Sequence, residues 1–193
     1  MTEHRTPGSG SPARILAALV MTLLALVGTA SAAGAATTPD FSAQAHGLGL
    51  TDAQAKSLQE RVDAYLATTG GTQVSANKIA LNSGELLLAL PGEQKARSVT
   101  AAGDATNLAA SCPYTYVCAY SGPNYTGDVL TLFTCNYLVS IPWSGTGSWI
   151  NNQRAALHAK FYDSNRNLGW TSPGGYSSDP AAPWGWVWWL SPC

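Results

Sequence analysis

The sequence predicts an all-β C-terminal domain that follows a small helix-plus-hairpin segment. After residue 111 the apolar residues alternate within short β-branched or aromatic segments, which Gly, Pro, Asn and Ser clusters separate. All four Cys, all seven Trp and seven of the eight Tyr lie in this part. Before it, one apolar stripe has helical spacing, and two short apolar segments flank a turn. The two halves therefore differ in their predicted secondary structure.

Residues 1–35 have the pattern of a secretory signal peptide. Arg5 and Arg14 precede an apolar run from Ile15 to Val27, and small residues that permit cleavage after Ala32 or Ala35 follow it. The run is shorter than the roughly 20 residues that span a bilayer, although an uncleaved anchor stays open as the alternative. We expect a secreted protein that has no membrane partner once the signal is removed.

Residues 36–90 predict one helix and one hairpin, as a pro-segment or an accessory domain. Thr51 is the expected N-cap, with Gln54 completing a capping box, and the pair Gly70-Gly71 ends the helix. The apolar stripe of this helix consists of Leu58, Val62, Tyr65 and Leu66. The segments "NKIAL" and "LLLAL" then flank a turn at residues 82–85.

Residues 91–111 are small and polar, which is the composition of a linker. An exposed tether here would permit removal of the preceding segment, whereas a permanently attached helical appendage is the alternative. The chain has a formal net charge of −1 and no basic run, so we expect no nucleic-acid partner.

Residues 112–193 form the predicted disulfide domain. In an exported chain, Cys112, Cys118, Cys135 and Cys193 predict two disulfides, and three pairings remain open. A zinc site is the alternative, but these spacings and a single nearby histidine, His158, do not favour it.

The spacing Tyr120-x4-Tyr125-x-Gly127 predicts a folded hairpin in which the second ring packs on the first and the glycine permits a positive φ. This pattern resembles the signature of βγ-crystallin Greek-key motifs. A weaker copy extends from Tyr162 to Gly169, with Asn167 where an aromatic residue belongs. Two copies imply one βγ-crystallin-like double Greek key.

The segment "CPYTYVCAYSGPNYTG", the later Cys135, "SWINNQ" and "AKFYD" resemble the secreted peptidase-inhibitor family typified by the Streptomyces metalloproteinase inhibitor. This resemblance implies a monomeric inhibitor whose partner is an extracellular proteinase, with a thermolysin-type metalloproteinase as the expected target. It implies a rigid loop that enters the active-site cleft as a substrate would.

Neither catalysis nor metal binding is expected. Crystallin-type calcium sites have two Asn or Asp residues, any two residues, Ser or Thr, and then Ser. After Asn151-Asn152 this chain has Ala155 and Ala156 at the hydroxyl positions, so we interpret the two asparagines as residues that cap or turn the backbone. The β domain contains no Glu, only the acids Asp128, Asp163 and Asp179, and one histidine, His158. This set does not favour a glycosidase or a serine triad, and we expect no enzyme activity and no cofactor.

Two surfaces are candidates for recognition. The segment "NYLVSIPWSGTGS" offers Leu138, Val139 and Ile141 as an inhibitory loop, and "TSPGGYSSDPAAP" is a second candidate. Strand alternation would place Trp184, Trp186 and Trp188 on one side, either as core or as an exposed aromatic platform. The alternative function is therefore a non-catalytic module that binds a cell-wall glycan.

Overall fold

The protein is described here by a computed structural model, which describes residues 41–99, 105–109 and 111–193. The predicted signal peptide at residues 1–35 lies outside the described residues. No helix in the described ranges is long and apolar enough to cross a membrane.

The described chain begins with helices and continues as strands. Helix α1 is Ser42–Gly47 and helix α2 is Asp52–Thr69. Short 3-10 turns occupy Pro123–Tyr125 and Trp184–Trp186. The strands are β1 Thr72–Ser75, β2 Lys78–Leu81, β3 Gly84–Leu87, β4 Arg97–Val99, β5 Ala105–Ala109, β6 Tyr116–Gly122, β7 Thr126–Leu132, β8 Val139–Ser140, β9 Thr146–Asn152, β10 Lys160–Tyr162, β11 Leu168–Thr171, β12 Ser177–Pro183 and β13 Trp189–Ser191.

Helix α2 begins and ends where the sequence predicts. The Thr51 hydroxyl accepts a hydrogen bond from the Gln54 amide at 3.3 Å, and the Thr51 amide donates to Gln54 Oε1 at 3.0 Å. This reciprocal pair satisfies amides that the first turn leaves unpaired. Gly70 and Gly71 follow the helix with φ of 69° and 95°, which glycine adopts without a steric cost.

The predicted hairpin is part of a larger sheet. Strands β2 and β3 pair through a two-residue connection, Asn82–Ser83, and β3 then pairs antiparallel with β7. A Cβ built on Gly84 would lie 1.9 Å from the Thr131 carbonyl oxygen, so only glycine allows this close approach between the strands. The hairpin and the disulfide domain therefore share one seven-stranded sheet, in the order β1-β2-β3-β7-β6-β9-β12.

The second sheet completes a double Greek key. Its order is β11-β10-β13-β8. Strands β6, β7 and β9 lie in the first sheet, whereas the intervening β8 crosses to the second. In the next four strands, β10, β11 and β13 lie in the second sheet and β12 crosses to the first. This exchange confirms the predicted all-β Greek-key class.

The main core lies between the two sheets and extends under helix α2. Leu58 and Val62 of α2 are 1% and 0% exposed and join the same cluster as Leu86, Leu130 and Leu132. The helix also contacts the second sheet, because the Ser140 hydroxyl donates to the Thr68 carbonyl at 3.0 Å. Helix α2 and the second sheet thus together cover the inner face of the first sheet.

The outer face of the first sheet is covered by part of the predicted linker. Ala96 of the linker and Ala89, which lies just before it, pack with Cys118, Tyr120 and Val129 in a smaller cluster. The Ala96 amide donates to the Gly127 carbonyl, and the Gly127 amide donates to the Gln94 carbonyl. Strands β4 and β5, which pair antiparallel, also lie within residues 91–111.

Candidate functional site

The cysteines form two disulfides, as predicted, and the structure selects one of the three pairings. Cys112 pairs with Cys118, and Cys135 pairs with Cys193. The first bridge closes a short loop with a sequence separation of 6 residues, whereas the second joins positions 58 residues apart. The second bridge therefore ties the loop after β7 to the chain terminus.

The turn between β6 and β7 has the two aromatic rings and the glycine in contact. The rings of Tyr120 and Tyr125 lie 5.7 Å apart, edge to face at 72°. Gly127 has a φ of 79°, and a Cβ there would lie 2.2 Å from the Ser121 hydroxyl. This geometry holds the turn folded back over the outer face of the sheet.

The second copy of the motif is held by a different interaction. The Asp163 carboxylate accepts hydrogen bonds from the amides of Asn165 and Asn167, both at 2.8 Å, and from the Asn167 side chain at 3.0 Å. The bonds from the backbone and side chain of Asn167 lower the pKa of Asp163. Asn167 thus fixes the turn by hydrogen bonding where the pattern has an aromatic ring.

An exposed turn follows β7, and we call residues 133–138 the disulfide loop. The Phe133 amide donates to the Ser83 carbonyl at 2.9 Å, and the Asn136 amide donates to the Cys193 carbonyl at 3.0 Å. The Asn82 side chain donates to the Tyr137 hydroxyl at 3.2 Å. Phe133 and Tyr137 remain 49% and 40% exposed. The loop is consequently anchored along its length while it presents two aromatic rings to solvent.

Of the candidate inhibitory residues, Leu138 is the last residue of the disulfide loop, and Val139 and Ile141 lie just beyond it. Val139 and Ile141 are 4% and 6% exposed, and Leu138 is half-buried. The prediction that Val139 and Ile141 are presented to a partner is wrong, because β8 belongs to the second sheet and both side chains pack in the main core.

Asn151 and Gln153 form a buried polar pair that connects several loops at the end of the β-sandwich where the disulfide loop lies. Asn151 is 0% exposed, and its side-chain nitrogen donates to the Leu157 carbonyl at 2.9 Å and to the Ser172 hydroxyl at 3.3 Å. Its side-chain oxygen accepts from the Gln153 side chain at 3.0 Å, and Gln153 also donates to the Pro192 carbonyl. The pair therefore links the β9–β10 loop, the β11–β12 loop and the segment beside Cys193.

Sequence reasoning interpreted Asn151 and Asn152 as turn residues and missed Gln153. The Asn152 side chain donates to the Cys112 carbonyl at 2.9 Å. The sequence did contain a signal, which is three consecutive amide side chains at the end of an alternating strand. A buried amide needs several hydrogen-bond partners, so this run could have indicated a buried polar network.

The candidate residues Asp128 and His158 each make hydrogen bonds to other segments of the fold. Asp128 is 4% exposed and accepts from Arg61 at 2.5 Å and from the Tyr65 hydroxyl at 2.6 Å. His158 Nδ1 donates to the Ser172 carbonyl at 2.8 Å. Across residues 41–99 and 111–193, no three His, Cys, Asp or Glu side chains are grouped so that they could hold a metal ion.

The tryptophan row is not a regular strand. Trp184 is 1% exposed and its indole nitrogen donates to the Tyr120 carbonyl at 2.8 Å, whereas Trp186 and Trp188 are 39% and 56% exposed. The predicted alternation, with Trp184 on a shared surface, is wrong because a 3-10 turn at Trp184–Trp186 interrupts the extended backbone. Only Trp186 and Trp188 of the row can contribute to an aromatic surface.

Comparison with known proteins gives one family. The sequence model of peptidase inhibitor family I36 matches residues 105–171. The match includes the disulfide loop and the Asn151–Gln153 pair, and it ends before the tryptophan row. No curated protein and no solved structure matches the chain significantly.

Proposed function

We propose that the protein is a secreted inhibitor of an extracellular proteinase and that the disulfide loop is its inhibitory element. The family match to residues 105–171 supports the inhibitor class. We assign the loop on one observation. It presents the exposed rings of Phe133 and Tyr137, and closely spaced hydrogen bonds and a disulfide hold it in place. Aromatic side chains are enriched in protein interfaces and supply a large share of their binding energy.

Rigidity is the physical basis of the proposed inhibition. A loop that is ordered before binding loses less conformational entropy when it enters a cleft, so more of its contact energy appears as affinity. The hydrogen bonds at Phe133, Asn136 and Tyr137 provide this order in the free protein.

The disulfide would also retain the loop after cleavage. If the target cut the chain between Cys135 and Leu138, one side would remain held by the Cys135–Cys193 bridge and the other by pairing of β8 with β13. The cut ends would therefore stay in the cleft instead of leaving as a product.

We further propose a thermolysin-type metalloproteinase as the target. The exposed Phe133 and the half-buried Leu138 are large and apolar, which suits a hydrophobic specificity pocket. No metal or cofactor of the inhibitor itself takes part in this mechanism.

The test is titration of the secreted protein against thermolysin, subtilisin and papain. We expect stoichiometric loss of thermolysin activity with little effect on the other two enzymes. Tyr137→Ala should weaken inhibition at least tenfold, because it removes an exposed ring and the bond to Asn82. Val74→Ser is the matched control, since Val74 is 48% exposed on the remote edge strand β1. Lack of inhibition of all three enzymes at micromolar protein would contradict the proposal, and equal losses in the two variants would exclude the disulfide loop.

A further inference from the structure

An aromatic cleft of about 320 Å³ lies away from the disulfide loop. Its walls include Trp170 of β11, Trp186 of the 3-10 turn, and Asp179 of β12. Strand β12 pairs with β9 so that Ser177 lies opposite Asn151 and Pro183 lies opposite Thr146. The turn that follows Pro183 is therefore at the other end of the first sheet from Asn151 and the loops it connects.

The two tryptophans are fixed in place but remain open to solvent. Trp170 is 41% exposed, and its ring centroid lies 5.5 Å from that of Trp149 and 5.2 Å from that of Phe161. Trp186 is 39% exposed and lies on Gly169, where a Cβ would be 2.3 Å from its ring. Gly169 is thus the residue that lets the Trp186 indole lie against β11.

Asp179 supplies the only charge among the residues that line this cleft. One carboxylate oxygen accepts from the Ala181 amide at 2.8 Å. A purely apolar ligand would remove water from this carboxylate without returning a donor, which is unfavourable. An anionic ligand would be repelled by it. The lining therefore favours a ligand that carries no negative charge and combines a flat apolar face with hydrogen-bond donors.

We propose that this cleft binds a neutral β-1,4-linked glycan. In chains of β-1,4-linked glucose or N-acetylglucosamine the ring substituents are equatorial, so each pyranose has a flat face of C–H groups that can lie against an indole. A sugar hydroxyl can donate to the second carboxylate oxygen of Asp179. Small-molecule sites commonly have this composition, with mostly apolar walls and a few placed polar groups. The site is separate from the disulfide loop, so it does not depend on the proposed inhibition.

The experiment uses the secreted protein with chitin hexasaccharide and cellohexaose in calorimetry, and with insoluble chitin and cellulose in retention assays. We expect the protein to bind at least one of the two sugars. Binding to chitin hexasaccharide or to cellohexaose then shows which of the two the cleft recognises. Trp186→Ala should weaken binding at least tenfold. Gly169→Ala should also weaken it, because the added methyl group displaces the Trp186 ring while every indole is kept.

Trp188→Ala is the matched control. Trp188 is the most exposed indole of the same row, at 56%, and it does not line the cleft. It should leave glycan binding unchanged, and thermolysin titration of all three variants reports separately on the disulfide loop. Circular dichroism establishes that each variant is folded. The proposal is overturned if neither sugar binds at millimolar concentration, or if Trp188→Ala and Trp186→Ala lose binding equally.

Discussion

The Asp128 carboxylate accepts a hydrogen bond from the Arg61 guanidinium at 2.5 Å, although the two residues are 67 positions apart in the sequence. Arg61 belongs to helix α2, and Asp128 directly follows Gly127 in the folded turn. The same carboxylate accepts from the Tyr65 hydroxyl at 2.6 Å and from the Ala89 amide at 2.8 Å. One buried acid therefore connects the helix, the segment after β3 and the start of β7.

Replacement of this acid tests how much the connection stabilises the fold. Asp128→Ala leaves Arg61 Nη2, the Tyr65 hydroxyl and the Ala89 amide without their acceptor, so we expect the free energy of unfolding to fall by about 3 kcal/mol. Urea denaturation measures it. Glu60→Ala is the control, because Glu60 pairs with Lys56 on the exposed face of the same helix and should cost less than about 0.5 kcal/mol. Equal effects would show that the buried cluster contributes no more than a surface pair.

Local signals predicted much of the secondary structure, whereas contacts between distant segments were not accessible from the sequence. Thr51 and Gln54 indicated the start of α2 because a capping box involves residues three apart. Pairing of β3 with β7 has no comparable local signal, since either edge of a hairpin can add a strand. The position of Trp184 was predicted wrongly because alternating aromatic residues indicate a strand. This pattern does not distinguish a continuous strand from one that a 3-10 turn interrupts.

Cleavage within residues 91–111 should leave the two parts of the chain associated. The sequence predicted a removable segment, and a pro-segment role for residues 36–90 stays a proposal. Pairing of β3 with β7 and the burial of Leu58 and Val62 would hold a nicked chain together. A site-specific protease sequence inserted after Gly103 allows the test. We expect the two fragments to elute as one species in size-exclusion chromatography and to separate in urea; separation without denaturant would favour a releasable pro-segment.

Removal of the two disulfides should have unequal effects. In the chain-entropy description, a crosslink destabilises the unfolded state more when it closes a longer loop. The sequence separations of 58 and 6 residues predict losses of about 4 kcal/mol for the double variant Cys135→Ser/Cys193→Ser and about 2 kcal/mol for Cys112→Ser/Cys118→Ser. Denaturant midpoints of the two double variants give the comparison. The reverse order would show that packing around Cys118, which is 0% exposed, outweighs loop length.

Alkaline pH should destabilise the protein through the buried Tyr120 and the half-buried Tyr65. Burial raises the pKa of Tyr120 to about 12, and burial together with the Asp128 charge raises the pKa of Tyr65 above its ordinary value. Between pH 10 and 12 the unfolded tyrosine has lost a proton that the folded one keeps, so the free energy of unfolding falls as pH rises. We expect a slope of roughly 1 kcal/mol per pH unit for Tyr120.

Urea midpoints between pH 9 and 11.5 measure this slope, and Tyr120→Phe should reduce it. Tyr114→Phe is the control, because Tyr114 is 65% exposed and should leave the slope unchanged. A slope that Tyr120→Phe does not alter would assign the alkaline loss to other groups.

Asn151 should control inhibition without contacting the proteinase. Asn151→Asp replaces a donor with an acceptor-only group, so the bond to the Leu157 carbonyl is lost and two acceptors face each other there. The Ser172 hydroxyl could donate to the new carboxylate only by giving up its bond to the Pro173 carbonyl. We expect inhibition of the target proteinase to weaken at least tenfold, with faster amide hydrogen exchange in residues 154–158 and 172–176.

Asn152→Asp is the matched control for this effect. Asn152 is the next residue on β9, is half-buried, and donates to the Cys112 carbonyl outside the connection between the loops. It should change inhibition less than threefold. Faster exchange in Asn151→Asp with unchanged inhibition would mean that order in these two loops is irrelevant to binding, and the disulfide loop would then have to act alone. Asn151 itself is inaccessible to any partner. A loss of inhibition that accompanies faster exchange would therefore show that the buried amide acts on inhibition through the geometry of the loops that it connects.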